Sequence, residues 1–512
     1  MNKLINLVIP CAGKSTRFFN EGYKTHKAFL KLNKEFTILE SILKSFDKKF
    51  FKPHVVFTHI QKKEFQNELK QLKDDFPELT IHSIDEHDLG PTYSIANITL
   101  PPQEPLLVHY CDFLTKFKVD TLIKNIHEGK IVAPYFRGFH PASLGTTNFA
   151  YLIIDSIGEM INLQEKKPFT DNRIEEPAST GIYGFPSFKL FKELADNLFS
   201  HKSKWQLKEA YTSLLLNEAL AIGRRVICIE VKNFICLGTP RDYEEYLFWE
   251  NLYSIKYKIP KNPLPNDSHL ITAAGKGTRF EKDNYYVPKI FNKLFDNTLI
   301  ELALKSIPNS DVKILLLEDV YTKANNLIKN SSQLLDIYKV KKSPDGQLIS
   351  LKKLINFSNP QKSFFVSSAD YEFRINHTEF SSFIKEKNPD IVIFTTKWNP
   401  VANEEIINYG FTKNSSEGRI INIVEKPDFK IQPDMLKNLL IGTFWFRNKS
   451  IIENLPLTKI NGEAFIANSI NEVIDKLKVY AFPVDYWLSL GTPKELNLAK
   501  YWFEYFSYDS NK

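Results

Sequence analysis

Apolar residues fall into short runs separated by polar or glycine-containing stretches, and the runs come in two series. The first series holds "LINLVIP" (4–10), "HVVFT" (54–58), "LLVHY" (106–110) and "KIVAPY" (130–135). The second holds "HLITAA" (269–274), "KILLLE" (313–318), "FFVSSAD" (364–370) and "DIVIFTT" (390–396). Runs this short, rich in β-branched residues, predict buried strands. Helix-patterned stretches lie between many of them. In "FTILESILKSF" (36–46) the apolar residues Ile38, Leu39, Ile42, Leu43 and Phe46 form one stripe; in "NTLIELALKSI" (297–307) the stripe is Leu299, Ile300, Ala303, Leu304 and Ile307. Each stripe follows a threonine with a glutamate three residues on, Thr37 with Glu40 and Thr298 with Glu301. That spacing predicts a capping box, in which each side chain satisfies a backbone N–H of the first turn. Alternation of strand and helix predicts an α/β fold with a mainly parallel sheet and helices on both faces. Ligands in such sheets sit beyond the carboxyl ends of the strands.

The two series are copies of one another. With Gly13 set on Gly275, Arg17 falls on Arg279 and Lys27 on Lys289 without a gap. Later landmarks keep their order. "YCDF" around Asp112 answers "SADYEF" around Asp370, "QEKKP" answers "VEKP", "TGIYGF" answers "GTFWF", and "LGTPRD" answers "LGTPKE". The expected organisation is therefore domain 1 over residues 1–257, a proline-rich linker over 258–267, and domain 2 over 268–512.

Composition narrows the partners. The chain has 67 basic and 60 acidic residues, a net charge of +7, with no dense basic block. This suits anionic small molecules and argues against nucleic acid. Cys11, Cys111, Cys228 and Cys236 form no CxxC pair, which leaves zinc and dithiol redox motifs without support. No apolar run approaches a membrane span, and a cytoplasmic protein is expected. The oligomeric state is not legible.

Candidate chemistry begins at the repeated loops "VIPCAGKSTRF" (8–18) and "ITAAGKGTRF" (271–280). A P-loop is excluded in the first because Val8 stands where its leading glycine belongs, and in the second because Gly277 follows Lys276. No GxGxxG is present. What remains is a small-residue loop between strand and helix. Gly13 and Gly275 let backbone N–H groups approach an anion, Arg17 and Arg279 can fork onto phosphate oxygens, and Lys27 and Lys289 add point charges.

This loop, with a lysine ten residues after its arginine, resembles the sugar-phosphate nucleotidyltransferases, and the resemblance runs twice through nearly the whole chain. It implies tandem Rossmann-like nucleotidyltransferase domains that bind an NTP and a sugar phosphate and use Mg2+. Nucleotide binding falls to Ala12, Gly13, Lys14 and Gly90 in the first copy and to Ala274, Gly275, Lys276 and Gly346 in the second. Asp112 and Asp370 match the metal-binding aspartate. Lys166 and Lys426 match the lysine on the sugar-bound phosphate, with Glu165 and Glu425 beside them, and Gly181 and Gly442 match the glycine lining the sugar pocket. Arg17, Lys27, Lys166, Arg279, Lys289 and Lys426 carry the catalytic charge. "EKKPFTDNR" and "YCDF" further resemble a subgroup associated with bacterial surface polysaccharide. "HPASLGTTNFAY" (140–151) has no close counterpart in the second copy, which suggests two acceptors.

One departure stands out. The family's second metal aspartate is Cys236 in one copy and Ser489 in the other. Three readings stay open: one carboxylate with water and nucleotide phosphates holds the cation; another acid, Asp485 or Asp171, replaces the missing one; or the domains sense nucleotide or act as scaffold without catalysis. Thr239 with Asp242, and Thr492 with Glu495, read as capping boxes around a proline at the first helical position. A glycosyltransferase would need an Asp-x-Asp at a strand end, which neither copy supplies.

Overall fold

The computed structural model describes residues 3–145, 149–201, 205, 209–255, 267–307, 311–322, 335–397, 409–425, 437–460 and 462–510, the last three of these as backbone. The chain divides into two compact units, Met1–Leu247 and Phe248–Lys512. The division falls within the helix Pro240–Ile255, ahead of the expected linker, which lies outside the described residues except for Asp267.

The first unit runs through β1 (Ile5–Pro10), β2 (Phe51–Thr58), β3 (Thr80–Ile84), β4 (Leu106–His109), β5 (Phe113–Lys116) and β6 (Ile131–Phe136). It continues through β7 (Ala150–Ile154), β8 (Met160–Glu165), β9 (Ala178–Ser179), β10 (Ile182–Phe185), β11 (Val226–Glu230) and β12 (Asn233–Cys236). Strands β3, β2, β1 and β4 lie side by side and parallel, with β1 central. Antiparallel β10 enters between β4 and β6, and β11 pairs parallel with β6. A separate ribbon joins β5 to β12. Burial on both faces explains why β1 reads as an almost unbroken apolar run, with Ile5, Leu7, Val8 and Ile9 all buried.

The second unit repeats this order. Its main path runs Leu335–Val340, Asp311–Leu317, Ser268–Thr272, Phe364–Ser368, Leu439–Phe446, Ile391–Thr396 and Val479–Pro483. These strands stand where β3, β2, β1, β4, β10, β6 and β11 stand in the first unit. The ribbon Tyr371–Arg374 with Tyr486–Ser489 answers β5 with β12. Both sheets are mainly parallel through the strands that carry the site, and the antiparallel strand between β4 and β6 is among the elements the run pattern did not predict.

Both capping boxes form. Thr37 N–H donates to Glu40 at 2.6 Å and Glu40 N–H to Thr37 Oγ1 at 3.2 Å; the Thr298 and Glu301 distances are 2.7 and 3.3 Å. The helices they start bury the predicted stripes.

Candidate active sites

In each unit the first strand ends in the small-residue loop, and the loop turns into a short helix through a left-handed residue. Ser15 has φ 51° and Gly277 φ 72° at this turn. A Cβ on Gly13 or Gly275 would meet nothing within 4 Å, so both glycines face open space. Ala12 and Ala274 are buried beneath, while Lys14 and Arg17 are exposed.

The loop is tied down from behind. His26 Nε2–H donates to Gly13 O at 2.9 Å, and Gln61 Nε2 donates to the same oxygen at 3.0 Å. His26 Nδ1 accepts from Ala28 N–H at 3.2 Å, which fixes a neutral ring; burial lowers its pKa to about 4. Lys14 reaches Asp88 at 2.7 Å and so bridges to the loop carrying Gly90. The second unit makes the corresponding tie with Ser343 Oγ donating to Ala274 O at 2.8 Å.

The expected lysines and aspartates meet. Lys27 Nζ donates to Asp112 Oδ2 at 2.7 Å, and Lys289 Nζ to Asp370 Oδ2 at 2.6 Å. Each aspartate lies in the turn after its strand, between β4 and β5 or between their counterparts. Burial works to raise the Asp112 carboxyl, but the Lys27 ammonium and its hydrogen bond more than offset this and hold it below the usual carboxylate range. Burial likewise opposes the Lys27 charge, and Asp112 more than restores it.

Around this pair the first unit adds Lys166, whose ammonium lies 3.7 Å from Glu165 Oε1 and 5.1 Å from the centre of the Tyr211 ring. Lys166 holds φ 59°, a conformation that a non-glycine residue keeps only under surrounding constraint. Glu165 is buried and accepts from Ser213 Oγ; burial raises its pKa. Arg17 is close enough to the Tyr211 hydroxyl to act on it electrostatically. Lys426, the counterpart of Lys166, lies outside the described residues.

In the second unit Arg279, Lys289, Asp370, Glu425 and Gly442 line one pocket of about 210 Å³. Sequence reasoning missed several of its other walls, among them Gln347, Tyr409, Trp487 and Glu495. Of these, only Glu495 had a visible signal, as the acid closing "LGTPKE". The first unit is tighter at the matching place. A Cβ on Gly181 would lie 3.2 Å from Tyr110 Cδ2 and 3.1 Å from Phe113, whereas one on Gly442 would lie 3.7 Å from Tyr371. Tyr110 stands where the second unit has Ser368.

Gly90 and Gly346, expected in the base-contacting loops, also meet a packing constraint. Both precede a helix with positive φ, and a Cβ would strike the backbone of Ala210 at 3.0 Å or of Ala464 at 2.4 Å. They allow two chain segments to touch; Gln347, the next residue, is the one on the pocket wall.

The acid missing at Ser489 is not supplied by Asp485. Asp485 N–H bonds to Arg374 O, at the end of its ribbon opposite Ser489, and Asp171 is exposed. Among the described residues no three His, Cys, Asp or Glu side chains gather as a metal cage. The donors present do suit a hard cation that is completed by other ligands: each strand-end carboxylate faces a glycine, Gly238 or Gly491, whose missing Cβ leaves a gap 3.6 or 3.3 Å from the carboxylate oxygen.

Parts of the chain are similar to known proteins. The family described as nucleotidyl transferase matches residues 268–502. Curated relatives include the bifunctional protein GlmU of Streptococcus pyogenes serotype M28, 26% identical over 45% of this chain and 50% of that protein. GlmU of Clostridioides difficile is 27% identical over 42% and 46%. The chain thus spans about half the length of the curated relatives it matches. Similar solved structures include a nucleoside-diphosphate-sugar pyrophosphorylase from Vibrio cholerae RC9, 21% identical over 47% of this chain and 99% of that one, with a TM-score of 0.39. Among the described residues no helix is long and apolar enough to cross a membrane.

Proposed function

From a chain whose residues 268–502 match the nucleotidyl transferase family, and whose first unit repeats the strand order and the lysine–aspartate pair of the second, we propose a tandem enzyme that transfers a nucleoside monophosphate from an NTP to a sugar phosphate. Pyrophosphate is released. The product would be an activated sugar of the kind used for surface polysaccharide. Two units imply two donor–acceptor pairs.

An oxygen of the acceptor phosphate attacks the α-phosphorus; the new P–O bond forms as the bond to the β-phosphate oxygen breaks. The attacking group is already anionic, so no strong base is required. The work left to the protein is positioning and charge neutralisation. In this reading Arg17 and Arg279 bind the triphosphate, Lys27 and Lys289 offset charge developing at the α-phosphorus, and Lys166 and Lys426 hold the acceptor phosphate. Gly13 and Gly275 leave room for the phosphates, and Glu165 and Glu425 with Gly181 and Gly442 border the acceptor. Asp112 and Asp370 would hold Mg2+, which when bound polarises the phosphate oxygens.

The observation that carries this reading is the recurrence of one arrangement: an open glycine loop, and beside it a lysine on a strand-end aspartate at 2.7 and 2.6 Å. The experiment is a pyrophosphate-release screen of NTPs against sugar phosphates with the wild-type chain and with Arg17→Ala and Arg279→Ala. Each variant should lose a different pair. Binding of NTP with no pyrophosphate from any pair would favour the second reading, nucleotide-sensing or scaffold units, which the side chains at Cys236 and Ser489 support.

A further inference from the structure

Both units lack an acid at the position two residues before the glycine of Leu-Gly-Thr-Pro, yet they differ in what surrounds that glycine. In the second unit a Cβ on Gly491 would lie 3.3 Å from Asp370 Oδ2, 3.4 Å from Glu495 Oε2 and 3.8 Å from Lys289 Nζ. Two carboxylates and one ammonium therefore face a single gap. The two oxygens are no more than 6.7 Å apart (3.3 plus 3.4). Glu495 enters the gap from the first turn of the helix Pro493–Ser510, where Thr492 Oγ1 donates to Oε2 at 3.1 Å, and Tyr409 OH donates to Oε1 at 2.7 Å.

The first unit differs. Around Gly238 the neighbours are Asp112 Oδ2 and Cys236 Sγ, each at 3.6 Å. Asp242, the counterpart of Glu495, is one methylene shorter. Its Oδ2 accepts from Thr239 N–H at 3.1 Å, Thr239 Oγ1 at 2.7 Å and Cys236 Sγ at 3.5 Å, so it serves the helix cap and the thiol. One carboxylate thus faces the gap at Gly238, and two face the gap at Gly491; the second carboxylate favours a cation there.

We propose that Glu495 is the second carboxylate of the divalent-cation site in the second unit, taking the place of the acid absent at Ser489, and that the first unit holds its cation through Asp112 and the nucleotide phosphates. Hard cations take carboxylate oxygens, and affinity follows the number of charged ligands. The second unit then binds the cation without nucleotide more tightly than the first. The inference rests on the transfer reading for its metal, but its test does not depend on turnover.

Mn2+ alone is titrated into the full-length chain and free Mn2+ is read by electron paramagnetic resonance. The wild-type chain should show a tighter and a weaker class of site. Glu495→Gln, which keeps an acceptor for the cap, should weaken the tighter class by about tenfold or more, and Asp242→Asn should leave it unchanged. Should Glu495→Gln perturb folding, Ser489→Asp in the same background should return tight Mn2+ binding, a rescue that a purely structural role would not give. Unchanged Mn2+ binding in a folded Glu495→Gln, a failed rescue, or a wild-type chain without a tighter class overturns the proposal. Glu495-dependent Mn2+ binding with no pyrophosphate release would instead overturn the transfer reading and leave this one standing.

Discussion

The two units share one lysine–aspartate pair and differ in the walls around it. Lysine and aspartate meet at nearly the same distance in both. Around them, Tyr110, Ser179, Tyr183 and Ser213 of the first unit stand where the second has Ser368, Leu440, Phe444 and Ala467. The hydroxyls of the first set bond among themselves and to neighbours: Ser179 to Tyr183 at 2.9 Å, Ser213 to Glu165, and Thr212 N–H to Tyr110 OH at 3.1 Å. Beneath, the buried Cys11 and Cys111 replace Ala273 and Ala369. In the proposed reading the common part suits a polyphosphate and this wall borders the acceptor, so its divergence is what two acceptors on one chemistry would require.

The strongest test of the shared part is removal of its ammonium. Lys27→Ala and Lys289→Ala should each lower turnover about a hundredfold or more, and on different donor–acceptor pairs. A variant that leaves every pair untouched would remove its unit from the catalytic comparison.

Acid should separate the units next. Burial holds His26, His109 and His140 at about 4 and His54 at about 3 in the first unit; in the second His269 stands at about 3 and His377 is lowered. These rings are neutral when folded, and the unfolded chain takes up protons near the ordinary value of 6.5. Their stabilisation is therefore full above that pH and is lost as pH falls from there toward 4. Each tenfold difference in proton affinity between the folded and unfolded ring is worth about 1.4 kcal/mol, so the loss reaches several kcal/mol. Hydrogen exchange read on peptides from each unit should show the first opening at higher pH. Simultaneous opening would contradict the assignment.

Glycine substitutions sharpen the comparison further. Both glycines hold positive φ, which strains any added side chain; Gly346→Ala, whose added carbon also meets Ala464 at 2.4 Å, should cost about 3–4 kcal/mol, and Gly90→Ala, at 3.0 Å from Ala210, about 2 kcal/mol. Urea-dependent hydrogen exchange in the affected unit measures both, and equal costs would make the difference in spacing immaterial. The smallest effect is expected from Cys11→Ala with Cys111→Ala, which makes the first unit resemble the second: about 1 kcal/mol in a thermal melt, with pyrophosphate release retained. Loss of release would show that the thiols do more than fill space.

Local features were legible in the sequence and long-range ones were not. The Thr37–Glu40 and Thr298–Glu301 boxes are written within four residues, and the parallel runs announce themselves by unbroken apolarity. Strand β10 is only Ile182–Phe185 and gains its place from partners far along the chain, Leu106–His109 above all. Lys27 and Asp112 were both singled out, but their direct bridge depends on a fold that joins positions 85 residues apart. Gly90 reads as a loop glycine; the reason for it is the backbone of Ala210, which no local pattern reveals. Glu495 shows the limit most clearly, since an acid that closes a capping box and one that also faces a pocket are spelled alike.

The bridge between ammonium and carboxylate also governs what an empty site attracts. A lysine already committed to an aspartate presents a muted field, so a lone orthophosphate or sulfate gains little by settling there. A ligand that arrives as a salt, with anion for the lysine and countercation for the aspartate, can satisfy both halves together. A crevice built this way favours a pair of opposite charges over a lone anion.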